Sequence, residues 1–187
     1  MNEMIAVLIP IKSFNEAKER LSEALDKSER SILMQKMAET VINSSGSLSI
    51  WVVCDDDEVA SWAESKNVFV IKVEKPGLNN AVEKGVNTLE EAGFSKVIIA
   101  HADLPNADDL QKCANFEGVT IVQDHKGDGT PVLVIPTGKG FRFSYGPDSF
   151  AAHILEAQRL GLPYRQLFDP KLSFDVDEPE DLKFIDD

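Results

Sequence analysis

A chain of 187 residues, 43% hydrophobic and 27% charged, is long enough to bury a full core and has an ordinary soluble composition. Its formal net charge of −13 excludes the broad basic surface that nucleic acid or an anionic membrane requires, and no apolar run approaches the ~20 residues of a membrane-spanning helix. Cys54 and Cys113 lack metal-ligand spacing and read as reduced thiols, and residues 1–10 carry no basic segment ahead of their apolar run. The expectation is a cytoplasmic protein with one domain over residues 1–187.

Residues 5–9 are an apolar run ended by Pro10, the pattern of a buried strand. Just beyond it Lys12, Lys18 and Arg20 put three cations into nine residues of an otherwise acidic chain, where a nucleotide's phosphates would be met. Neither G-x-x-x-x-G-K-[ST] nor G-x-G-x-x-G occurs, so these cations would have to replace a glycine-lined amide cradle. Ser28 reads as the N-cap of a core-packing helix reaching about residue 43, with Ile32, Leu33, Met37, Val41 and Ile42 at helical spacing. Residues 50–54 read as a second strand. Asp55, Asp56, Asp57 and Glu58 then suit the first turn of a helix, where carboxylates oppose the positive end of the dipole, better than a metal site. A third strand over 68–73 leads to Pro76-Gly77-Leu78-Asn79-Asn80. Gly77 permits close backbone approach to a ligand, and the Asn side chains either cap the next helix or read a base or ribose.

Val97, Ile98, Ile99 and Ala100 form the unbroken apolar run of a central parallel strand, and Asp103 follows just past its carboxyl end, ahead of Pro105. Ligands of open α/β sheets bind at that edge, and a lone carboxylate suits Mg²⁺ shared with a phosphate; capping of a helix over 106–114 explains Asp103 equally well. Strands over 119–123 and 132–135 flank the turn-rich D-H-K-G-D-G of residues 124–129. Ser149 opens a helix over about 150–160 and either cradles an anion with free backbone amides behind it or, with Asp148, simply caps the helix. After a late strand over 164–168, alternation places Asp175 and Asp177 on one face about 7 Å apart, and Pro179 starts a helix. Two adjacent carboxylates need a cation or a proton, and a divalent metal held between them and Asp103 would satisfy both. The alternating strands and helices of the first hundred residues call for a mostly parallel sheet in a three-layer α/β/α fold.

Six segments carry a family resemblance in the same order: P-I-K-S-F-N-E-A-K-E-R-L at 10–21, G-L-N-N-A at 77–81, A-D-L-P at 102–105, G-D-G-T at 127–130, Y-G-P-D-S-F at 145–150 and F-D-V-D-E-P-E-D-L at 174–182. Together they resemble the CofC/FbiD family, the 2-phospho-L-lactate guanylyltransferases and their phosphoenolpyruvate-using relatives in coenzyme F420 biosynthesis. The resemblance implies a nucleotidyltransferase fold of the glycosyltransferase-A type. It implies Asp103, Asp175 and Asp177 on Mg²⁺, and Lys12, Lys18 and Arg20 on the phosphates of GTP. Gly77, Leu78 and Asn79 would lie beside the nucleotide, and Thr130, Gly146 and Ser149 around a phosphorylated three-carbon acceptor. Two positions depart from the family pattern: Gly129-Thr130-Pro131 stands where G-T-N is expected, and His101 where a small residue or proline is commoner.

The implied reaction is attack of an acceptor phosphate oxygen on the α-phosphorus of GTP, with 2-phospho-L-lactate, phosphoenolpyruvate or 3-phospho-D-glycerate as acceptor. Such a nucleophile is already ionised, so no general base is needed. His101, close to Asp103, could contact substrate but reads first as structural, and His125 and His153 are assigned no role. A related nucleotidyltransferase with another nucleotide or acceptor, and a non-catalytic nucleotide-binding protein of the same fold, are the competing readings. Whether the chain acts as a monomer or a homodimer is left open.

Overall fold

Among the described residues seven strands form one sheet: β1 (Ile5–Pro10), β2 (Ser49–Cys54), β3 (Phe69–Lys72), β4 (Lys96–Ala100), β5 (Val119–Val122), β6 (Val132–Pro136) and β7 (Tyr164–Leu167). Their order is β3-β2-β1-β4-β6-β5-β7, in a computed structural model that describes residues 3–16 and 18–185. β1 pairs in parallel with β2 and β4, β2 with β3, and β5 with β7; β6 alone runs antiparallel, to β4 and β5. The expected mostly parallel sheet is therefore present.

Helices cover both faces because the central strands are apolar on both. Val7, Ile9, Ile98 and Ala100 pack with Met37 and Val41 of α1 (Lys27–Ser44) and Val59 of α2 (Asp57–Ser65). Ala6, Leu8, Val97 and Ile99 pack with Val82 and Leu89 of α3 (Leu78–Glu91) and Ala157 of α4 (Ser149–Arg159). Each Val, Leu, Ile or Met side chain among them contributes about 1.5–3 kcal/mol by leaving water. Gly85 lets α3 approach β1, since a Cβ there would come within 2.6 Å of the Leu8 side chain. Lys96 enters the core with 2% exposure, and its ammonium is satisfied by the carbonyls of Ala114 and Phe116, each at 3.0 Å, and by Glu3 at 2.9 Å.

Four local expectations are corrected. α1 is capped by Asp26, not Ser28: Asp26 accepts from the Glu29 amide at 2.9 Å while Glu29 accepts from the Asp26 amide at 2.8 Å, a reciprocal box that needs a three-residue spacing. Its core face also carries Met34 rather than the exposed Ile32. No α-helix spans 106–114; only a 3₁₀ turn, Gln111–Ala114, forms there. Asp108 accepts from the Asp109 amide and Asp109 from that of Gln111, local bonds that compete with a helical ladder. Pro179 does open a helical segment, but a 3₁₀ one, Pro179–Phe184. The acidic run after β2 behaves as expected, with Asp56 capping α2 by accepting from the Val59 amide at 2.9 Å.

Candidate active site

The carboxyl ends of β1, β2 and β4 open onto a cavity of about 580 Å³. Pro10, Val53, Val73 and Leu78 give it apolar walls, while Lys12, Lys18, Asp55, His101 and Asp103 supply polar groups. Gly77 and Leu78 line it too, at the start of α3, where Gly77 adopts φ 116°, a conformation that favours glycine.

Asp103 does not cap a helix. It meets Asp175 and Asp177, and one carboxylate oxygen from each lies within 4.8 Å of the others. The coming together depends on the segment after β7, whose Val176 amide donates to the Asp103 carbonyl at 3.3 Å. Lys18 supplies the countercharge. Its ammonium is 2.5 Å from Asp103 Oδ2 and 2.9 Å from Asp177 Oδ1, and Lys126 reaches the second Asp177 oxygen at 3.3 Å. Lys18 holds a left-handed backbone, φ 56°, which is unusual outside glycine, and it directly precedes the 3₁₀ turn Glu19–Glu23. Burial would lower the Lys18 pKa, but Asp103 and Asp177 outweigh it and push it above the ordinary range. Burial likewise works to raise Asp177, and Lys18 and Lys126 overcome it and hold that carboxyl low. Asp175 goes the other way: burial first, then the charges of Asp103 and Asp177, raise its carboxyl well above the usual range. His125 Nδ1 lies 3.3 Å from it. Asp103 Oδ1 is buried without a hydrogen-bond partner among the described residues, and Asp175 Oδ1, the oxygen that the His125 ring faces, is buried without a well-formed hydrogen bond. An all-oxygen donor set with two such atoms fits a hard divalent cation.

The three cations of the first loop take different places. Lys12 is largely exposed and pairs with Glu16 at 3.4 Å; Arg20 is exposed and pairs with Glu178 at 3.0 Å. Both line a shallow groove beside the main cavity, together with Lys18 and Asp177. Exposed pairs of this kind are worth little, so both side chains are available to a phosphate.

A second cluster lies on the β6 side. The loop 124–129 folds on itself through Asp124, which accepts from the Asp128 amide at 2.8 Å, and it delivers Thr130 to the start of β6. Thr130 Oγ1 is 3.3 Å from Ser149 Oγ and 3.0 Å from His153 Nδ1. Gly146, at φ 125°, forms the turn that brings Ser149 there. Here most of the expected amide cradle is already in use. The amides of Asp148 and Phe150 donate to Asp128, at 2.9 and 3.0 Å, and that of Ser149 to the Gly146 carbonyl at 3.2 Å. Nor does either candidate cap: Asp148 has a left-handed backbone and makes no cap bond, and the Ser149 hydroxyl faces Thr130. The two clusters adjoin, because the His101 amide donates to the Pro131 carbonyl at 2.9 Å and the His101 ring sits 5.2 Å from that of Tyr145.

Asn79 lies apart from the main cavity. Its amide group is used at both ends, accepting from the Tyr145 amide at 2.7 Å and donating to the Tyr145 carbonyl at 3.1 Å. It thus ties α3 to the loop that presents Gly146 and Ser149. Lys126 and His153 were not singled out by the sequence. For His153 a signal existed: it lies four residues after Ser149, on the same face of a helix.

The chain matches the family described as guanylyl transferase CofC like over residues 5–185. It is 31% identical to the phosphoenolpyruvate guanylyltransferase of Chloroflexus aggregans, covering 96% of each chain. It is also 31% identical to the 2-phospho-L-lactate guanylyltransferase of Methanocaldococcus jannaschii, covering 94% of this chain and 80% of that one. Among solved structures, a nucleotidyl transferase from Methanothermobacter thermautotroptrophicus superposes with a TM-score of 0.70 over 97% of this chain and 96% of that one, at 15% identity.

Proposed function

Because this chain belongs to the guanylyl transferase CofC-like family, we propose that it transfers GMP from GTP to a small phosphorylated three-carbon acid, as a cytoplasmic enzyme of coenzyme F420 biosynthesis. The observation that carries the reading is the meeting of Asp103, Asp175 and Asp177 at the sheet edge, with Lys18 on two of them and the apolar cavity alongside.

The cavity takes the nucleoside, with Gly77 and Leu78 against it. Lys12 and Arg20 meet the phosphates from the outer groove. Asp103, Asp175 and Asp177 would hold Mg²⁺, which when bound neutralises phosphate charge as the reaction proceeds. The acceptor's ionised phosphate oxygen attacks the α-phosphorus, a new P–O bond forms, the α–β bridging bond breaks, and pyrophosphate leaves with that electron pair. Lys18 neutralises charge at the same place. No side chain has to remove a proton, in keeping with a His101 whose basicity burial lowers.

The test is pyrophosphate release with Mg²⁺, crossing GTP, CTP, ATP and UTP against 2-phospho-L-lactate, phosphoenolpyruvate and 3-phospho-D-glycerate. Release confined to GTP with one of these acceptors supports the assignment and names the acceptor. Silence across the panel, in a protein that binds GTP, would instead favour a binding role.

A further inference from the structure

The amides of Asp148, Ser149 and Phe150 are already committed, so at Thr130 and Ser149 themselves an anion meets two hydroxyls, both on residues only 2% exposed. What those hydroxyls offer depends on a third residue. His153 is fully buried, its Nδ1 is 3.0 Å from Thr130 Oγ1, and its Nε2 is 3.2 Å from the Ser144 amide.

A backbone N–H only donates, so Nε2 must accept, and a neutral ring then carries its proton on Nδ1. Burial against the rings of Tyr145 and Phe141 favours that neutral form. Nδ1–H therefore donates to Thr130 Oγ1. Thr130 and Ser149 have two hydroxyl hydrogens between them and share one hydrogen bond. Whichever of them donates it, one O–H is left over. With the opposite tautomer Thr130 would donate to Nδ1 and Ser149 to Thr130, and no hydrogen would remain.

We propose that His153 is a positioning residue: by holding its proton on Nδ1 it keeps one hydroxyl hydrogen of the Thr130–Ser149 pair free to bind an anionic group of the acceptor. This rests on the reading of that pair as the acceptor site. His153 itself touches no substrate and transfers no proton.

Two measurements decide it. Long-range ¹H–¹⁵N correlation at neutral pH, with the His153 signals assigned by their loss in His153→Asn, is expected to show the Nδ1–H tautomer in the free protein, independently of turnover. In steady-state assays His153→Leu is expected to raise the acceptor KM about tenfold, the cost of roughly one hydrogen bond, with the GTP KM unchanged. His153→Asn places an amide N–H near the lost Nδ1–H and is expected to return the acceptor KM to within about threefold of wild type. An Nε2–H tautomer would overturn the assignment. So would equal rises in both KM values, or an Asn variant as impaired as Leu, since simple packing predicts those. Absence of turnover by the wild-type protein with every acceptor would sink the acceptor reading instead, and the tautomer alone would then decide the role of His153.

Discussion

The Lys18 ammonium lies 2.5 Å from Asp103 Oδ2 and 2.9 Å from Asp177 Oδ1, so it neutralises two of the three carboxylates that a divalent cation would also use. Lys18→Met removes that competitor and leaves three carboxylates without their main countercharge. Stability in chelator is expected to fall by about 3 kcal/mol, as when one partner of a buried ion pair is lost. Added Mn²⁺ should raise the thermal midpoint of the variant more than that of the wild type. Equal gains would show that ammonium and metal do not compete for these carboxylates. Turnover should drop about 100-fold, because the ammonium no longer offsets charge on the reacting phosphates.

Asp103→Asn keeps the shape of the side chain and removes its charge. Asp103 follows β4 and lies outside it, so the sheet should persist and the circular dichroism spectrum should match the wild type. Pyrophosphate release is expected to fall by about 10³-fold. Retention of a tenth or more of wild-type kcat would remove Asp103 from the metal set.

Asn79 bonds the backbone of Tyr145 at both ends of its amide. Asn79→Ala strands a donor and an acceptor, and should cost about 1–3 kcal/mol in urea unfolding. The loop it releases carries Gly146 and Ser149, so the acceptor KM should rise more than the GTP KM. A rise confined to GTP would restore the direct nucleotide contact expected from sequence.

His153 gives stability a defined pH dependence. Burial lowers its pKa from an ordinary 6.5 to about 4, with nearby His101 lowering it further and Glu156 opposing. Below about 6.5 the unfolded chain takes up a proton that the folded protein refuses until about 4. Stability is therefore full above that window and falls as pH drops through it, by up to about 3 kcal/mol. Urea unfolding at pH 7, 5.5 and 4.5 measures the fall, and the stability difference between wild type and His153→Asn should shift by that amount across the window. A difference that stays constant with pH would mean that His153 titrates normally.

Much of this architecture could be read along the chain. Val97 to Ala100 is apolar on both faces because β4 is covered on both, and Asp103 marks the sheet edge because a carboxylate could not continue that run. Asp175 and Asp177 announced their need for countercharge by their spacing alone. Period and composition are local, and they register a strand, its end and an unpaired charge.

Partner choice is not local, and only the tertiary structure decided it. Asp103 and Lys18 stand 85 residues apart in sequence, and Tyr145 and Asn79 stand 66 apart. No periodicity relates them. The amides at the start of α4 look available in sequence because Asp128, which takes those of Asp148 and Phe150, reaches them across a fold in the chain. The segment after Pro105 looks helical by composition, yet Asp108 and Asp109 spend their carboxylates on nearby amides instead. Hydrophobic pattern determines which residues are buried, whereas the use of each buried polar group depends on which donor or acceptor the fold brings within about 3 Å of it.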